Sequence, residues 1–149
     1  MMSIRNTLTV VLLAVLVFLG NAHAAPSDKP FAEHKIVIQI SDDDSAKQTL
    51  VLNVANNLIK SYGVDKVDIE IVAFGPGLRL LFAENVNAGR IDALVDNSGV
   101  RFAACNNTIA AMTNALGYAP ALNSRSKPVD AGIVRILELT DQGYTLVRP

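Results

Sequence analysis

Apolar and polar positions along this chain fall into short blocks that switch between the two-residue period of a strand and the 3.6-residue period of a helix. Lys35 to Ile40 (KIVIQI) is almost continuously apolar and rich in β-branched residues, which predicts a strand buried on both faces. From Ser45 to Ser61, Leu50, Val51, Val54, Ala55 and Leu58 make one apolar stripe, so a helix is expected, with Gly63 as its stop. Val67 to Ala73 (VDIEIVA) alternates apolar and charged positions and reads as a strand with one wetter face. Phe74-Gly75-Pro76-Gly77 breaks it, a helix is expected to begin over Leu78 to Ala83, and Asn87 to Asn97 continues helically. Val100 to Ala104 is a third strand that ends at Cys105, and Asn106 to Leu116 is a helix stopped by Gly117. After a polar loop with two prolines, a very short strand at Val129, a helix over Ala131 to Asp141 and a closing strand over Tyr144 to Val147 complete the pattern.

This β-α alternation predicts an α/β fold with a mainly parallel sheet of about four to five strands and helices on both faces, a three-layer α/β/α sandwich. The strand order stays open. The domain is expected to run over 35–149, after a polar, proline-containing and flexible lead-in over 25–34.

The ends change the picture of where the protein works. Arg5 precedes an apolar run from Leu8 to Leu19, and Ala22-His23-Ala24 offers a small-x-small cleavage site, so residues 1–24 are expected to be a cleaved signal peptide. Twelve helical residues rise only about 18 Å against a hydrocarbon core of roughly 30 Å, which disfavours a membrane anchor. A bacterial periplasm is the expected destination, with no membrane association after cleavage. Cleavage removes Arg5 and no acidic group, so the 13 basic and 14 acidic side chains of the whole chain become 12 and 14. That near-neutral balance, without a Lys/Arg cluster, argues against a nucleic-acid partner.

Cys105 is the one cysteine, so no internal disulfide is available even in an oxidising compartment. An exposed lone thiol there is open to oxidation. It is therefore either buried and inert or kept because it reacts.

In parallel sheets ligands gather beyond the carboxyl ends of the strands. Three segments follow such ends: Ser41–Asp44, Phe74–Gly77 and Cys105–Thr108. The third holds the strong nucleophile, at the start of a helix whose free N–H groups stabilise a thiolate. Cys105 is thus the candidate catalytic residue. Asn106 (a candidate N-cap), Asn107, Thr108, Gly75, Gly77, Ser41 and Asp42 are the candidate substrate-binding residues around it. Asp42, Asp43 and Asp44 read as helix-capping residues rather than a metal site, although their charges would raise the thiol's pKa if they came close. Phe74–Gly77 lacks the lysine and spacing of a P-loop and reads as a tight turn that shapes the pocket. His23 leaves with the signal and His34 lies in the lead-in, so no Cys–His pair is in view. Arg79, Arg90 and Arg101 read as solvated charges rather than an anion site.

The segments KIVIQISDDD, DIEIVAFGPGLRLLFAE, GVRFAACNNT and GIVRILELTDQGYTLVRP resemble the DsrE/DsrF-like proteins, in particular their small exported branch. The resemblance spans about residues 34–149, and Val100 to Thr108 (V-x-F-x-x-C-x-N-T) is its most specific part. It implies an α/β/α sandwich that assembles into trimers or hexamers. It also implies a sulfur-relay role in which Cys105 matches a cysteine that carries sulfane sulfur as a persulfide.

Two functional expectations follow. One is an exported sulfur carrier, sulfurtransferase-like, that takes sulfur from a sulfane donor, passes it to an acceptor thiol on a protein or small molecule, and needs no metal or organic cofactor. The other is a non-catalytic oligomeric binding or assembly module with a structural Cys105. The helix Ala131 to Leu139, apolar on almost every side, would then be buried in the core or against another subunit.

Overall fold

The computed structural model describes residues 29–149; the expected signal peptide lies outside the described residues. Five strands form one sheet in the order β4-β3-β2-β1-β5, every neighbouring pair parallel. They are β1 (His34–Ile40), β2 (Val67–Ala73), β3 (Arg101–Cys105), β4 (Ser126–Val129) and β5 (Thr145–Val147). The helices between them are α1 (Ser45–Tyr62), α2 (Ala88–Ser98), α3 (Asn106–Leu116) and α4 (Gly132–Asp141), with a 3-10 helix at Gly75–Leu81. The expected α/β architecture is the one found. No helix among the described residues is long and apolar enough to cross a membrane.

Side-chain alternation along the strands sorts the sheet into two unlike faces. Ile36, Ile38, Ile40, Ile69, Ile71, Phe102 and Ala104 point to the larger core, where α1, the 3-10 helix, α2 and α3 pack. Val37, Val72 and Ala103 point to a smaller cluster closed by Ile136 and Leu139 of α4 and by Tyr144. Among the described residues, three α-helices and the 3-10 helix thus cover one face and α4 alone covers the other.

Several local expectations need correction. The stripe of α1 is turned: Gln48, Val51, Leu52 and Ala55 are buried, whereas Leu50 is exposed. The wetter face expected for β2 is absent. All seven residues are buried, Asp68 at 0% and Glu70 at 3% exposure, because arginines from β3 and α4 take the place of water. The helix expected from Leu78 is a 3-10 helix that includes the glycine-proline turn itself. The lead-in, expected to be flexible, is held down over the part described. Lys29 Nζ donates to the carbonyls of Val64, Val67 and Ser98, Glu33 pairs with Lys66, and His34 already belongs to β1. The apolar helix α4 is only half buried: Ile133 and Leu137 are 54% and 57% exposed.

Candidate functional site

The parallel register brings the carboxyl ends of β1, β2 and β3 to one edge, with Ile40 beside Ala73 and Ala73 beside Ala104. Cys105 is the next residue of β3 and caps α3, with extended backbone angles and no side-chain cap bond. Alternation turns it toward the α4 side of the sheet, as it does Arg101 and Ala103. It is buried, at 5% exposure.

Polar N–H and O–H groups from two elements, α3 and α4, face its sulfur without making a close capping bond to it. Burial pushes the thiol's pKa up, but the Thr108 hydroxyl and the backbone N–H groups of Gly132, Thr108 and Asn107 together outweigh that effect and hold it below the ordinary thiol value. Asn107 and Thr108 lie in the first turn of α3, where N–H groups have no partner within the helix. Gly132 is the first residue of α4, so a second helix start aims at the same atom. Thr108 is in turn held from a third element: the Gly75 N–H donates to its Oγ1 at 2.8 Å, which leaves the hydroxyl proton free for the sulfur.

The glycines explain why these segments approach so closely. Gly75 stands at φ +54, a left-handed conformation that disfavours other residues, and opens the 3-10 helix. A Cβ on Gly77 would lie 2.5 Å from the Ile40 carbonyl oxygen, so the turn can rest on the end of β1 only with glycine there. A Cβ on Gly132 would meet Phe74 Cβ at 2.9 Å.

Of the residues singled out from the sequence, Cys105, Asn107, Thr108 and Gly75 come together. Gly77 and Ser41 lie in the backbone contact between the 3-10 helix and the end of β1, and neither is among the groups that act on the thiol. Asn106 is exposed and does not cap α3. Asp42 turns away to Lys47 at 3.0 Å, Asp43 approaches Arg79 at 3.8 Å, and Asp44 caps α1 by accepting from the Lys47 N–H at 2.8 Å. Among the described residues no cluster of three or more His, Cys, Asp or Glu side chains could hold a metal ion. His34 stacks on Tyr62 at 3.8 Å, at the amino end of β1 and so at the opposite edge of the sheet.

An open cleft of about 440 Å³ lies beside Thr108, between the 3-10 helix and α3. Pro76, Ala111, Met112 and Ala115 give it an apolar wall, and Arg79 and Asp43 line it as well. Cys105 is not part of the wall; Thr108 stands between the cleft and the sulfur.

Behind the thiol, on the same face of the sheet, lies an ion cluster that the sequence reading missed. Arg101, expected to be a solvated charge, binds Asp68 at 2.6 Å and Glu70 at 3.0 Å, and Arg135 binds Glu70 through two bonds of 2.6 and 2.8 Å. The Tyr144 hydroxyl donates to Asp68 at 2.5 Å, and burial together with that bond pushes its pKa up to about 12. The available signal was two acidic residues two apart in a strand, with arginines at the start of the next strand and on a later helix.

No protein-family model and no curated protein matches the chain. Among solved structures it is similar to MTH1491, a protein of unknown function from Methanobacterium thermoautotrophicum. The TM-score is 0.70 at 27% identity, and the match covers 78% of this chain and 99% of that one. The likeness supports a compact α/β domain.

Proposed function

We propose that this chain is a sulfur carrier of the sulfurtransferase type, with Cys105 as the sulfur acceptor. The observation that carries the reading is the set of donors around one sulfur: a threonine hydroxyl and N–H groups from two helix starts, which favour an anion at that atom. The Cys105 thiolate attacks the outer sulfur of a sulfane donor, a persulfide or polysulfide. A new S–S bond forms as the donor's own S–S bond breaks, and the remainder leaves as a thiolate from a persulfide or as a shorter polysulfide anion from a polysulfide. The Cys105 persulfide is again an anion of the same charge, now carried on the outer sulfur one S–S bond beyond Sγ. An acceptor thiolate then takes the outer sulfur and returns Cys105 to its starting state. Each transfer exchanges one S–S bond for another, so no external oxidant, metal or organic cofactor is required.

The resemblance of Val100 to Thr108 to the DsrE/DsrF-like proteins supports this chemistry. It also supports a homo-oligomer, a trimer or hexamer, and the signal-peptide reading of residues 1–24 supports a periplasmic site of action. The test is the intact mass of the mature protein after incubation with polysulfide. Wild type gains the mass of one or more sulfur atoms and loses it to a thiol reductant, while Cys105→Ser gains none. Identical masses for the two proteins would sink the reading.

A second reading, a non-catalytic assembly module with a structural cysteine, is favoured by two observations: the burial of Cys105 and the exposed apolar residues Ile133, Val134 and Leu137 on α4. A thiol that reacts with iodoacetamide only after unfolding selects this second reading.

A further inference from the structure

Helix α4 is attached to the sheet in an uneven way. Its apolar anchors are Ile136 and Leu139, set against the small cluster of Val37, Val72, Ala103 and Tyr144, while Ile133, Val134 and Leu137 face outward. Its first turn is fixed instead by charge. Arg135 grips both oxygens of Glu70, a pairing of the planar guanidinium with a carboxylate that fixes direction as well as distance. The Arg135 backbone N–H donates to the Ala131 carbonyl at 2.9 Å, so the gripped residue is hydrogen-bonded directly to the residue before Gly132. Glu70 is itself enclosed and held on both oxygens. It is 3% exposed in a central strand, and its Oε2 also accepts from Arg101 Nε at 3.0 Å. Its charged surroundings are Arg101 from β3, Arg135 from α4 and Asp68 on its own strand, with Tyr144 before β5 bonded to Asp68 and Arg101. A buried ion pair is a weak source of stability compared with apolar packing, and its best-attested use is to specify geometry.

We propose that the Glu70–Arg135 ion pair is a positioning device for Cys105, holding the first turn of α4 so that the Gly132 N–H stays on the sulfur. This role rests on the reading of Cys105 as the reactive group. Phe74 sets the other side of the arrangement, since Gly132 packs directly on it. The ion pair and the thiol are far enough apart for the two roles to be separated. Glu70 pairs with Arg101, and Cys105 lies four residues further along β3, about 13 Å at the usual strand rise. The sign of the effect distinguishes positioning from plain electrostatics. Removing the Glu70 charge would by Coulomb's law alone make a thiolate easier to form. Loosening α4 makes it harder, because the thiolate loses a donor.

The deciding experiment is the pH dependence of iodoacetamide alkylation of the full mature chain, with circular dichroism to confirm folding. Glu70→Gln moves the midpoint upward by about one pH unit, the scale of one hydrogen bond to a charged group. Gly132→Ala, which pushes the first turn off Phe74 while keeping every charge, moves it the same way. Arg135→Lys keeps the charge but not the two-point grip and gives a smaller upward shift. A folded Glu70→Gln protein whose midpoint stays or falls overturns the proposal. If that variant does not fold, an unmoved midpoint in Gly132→Ala overturns it instead. Sulfur loading is read separately by mass on the wild type, so a failure there removes the sulfur-carrier reading and leaves the positioning result standing.

Discussion

At the scale of residues, Cys105 is where opposing effects meet, and hydrogen bonds decide the outcome. Burial alone would keep the thiol protonated, yet its pKa lies below the ordinary value because the Thr108 hydroxyl and three N–H groups favour the anion. Thr108 matters doubly, since it also accepts from the Gly75 N–H at 2.8 Å. Thr108→Val keeps the shape and removes both bonds. It is expected to raise the alkylation midpoint by about one pH unit and to cost about 1–3 kcal/mol of stability through the orphaned Gly75 N–H, read from the urea midpoint. The place of Cys105 at a strand-to-helix junction was legible because apolar periodicity changes there. Gly132 was not, since no local pattern says that two helix starts far apart in the chain share one atom.

At the scale of elements, close backbone contact shapes the edge that holds the site. The turn after β2 becomes a 3-10 helix seated on the end of β1, where Gly77 leaves no room for a side chain. Gly77→Ala would set its Cβ against the Ile40 carbonyl, a backbone atom that cannot swing aside. The expected result is a loss of about 1–3 kcal/mol, the usual cost of overpacking, measured as a lower urea midpoint at unchanged slope. The glycine-proline-glycine run announced a turn, but it could not announce which atoms the turn would touch. Helix α4 carries a similar lesson. Its sequence is apolar on nearly every side, yet only Gly132, Ile136 and Leu139 are buried in the single chain.

At the scale of the whole molecule, the two faces of the sheet are stabilised differently. One carries a broad aliphatic core, and the other a small apolar cluster beside a buried ion network. Burial works against ionisation of Glu70, but Arg135 and Arg101 hold its pKa below the usual carboxylate value. A depressed carboxylate pKa contributes stability that is complete above the unfolded value of about 4.3 and is lost as pH falls through the folded value. Thermal unfolding of wild type is therefore expected to drop in temperature from about pH 5 downward. Glu70→Gln, already neutral, should be less stable at pH 7 and show a shallower acid decline. An equally steep decline in both proteins would assign the acid sensitivity elsewhere.

The order of elements, the parallel α/β class and the edge on which Cys105 stands were all legible in the chain before any packing is considered. Local periodicity, glycine stops and the connection rules suffice for these. Tertiary structure alone decided the strand order, the second helix start on the sulfur and the fate of Asp68 and Glu70. Alternation in VDIEIVA marks a polar face but not whether water or arginine satisfies it. That choice belongs to Arg101 and Arg135, which meet Glu70 only once β2, β3 and α4 have packed.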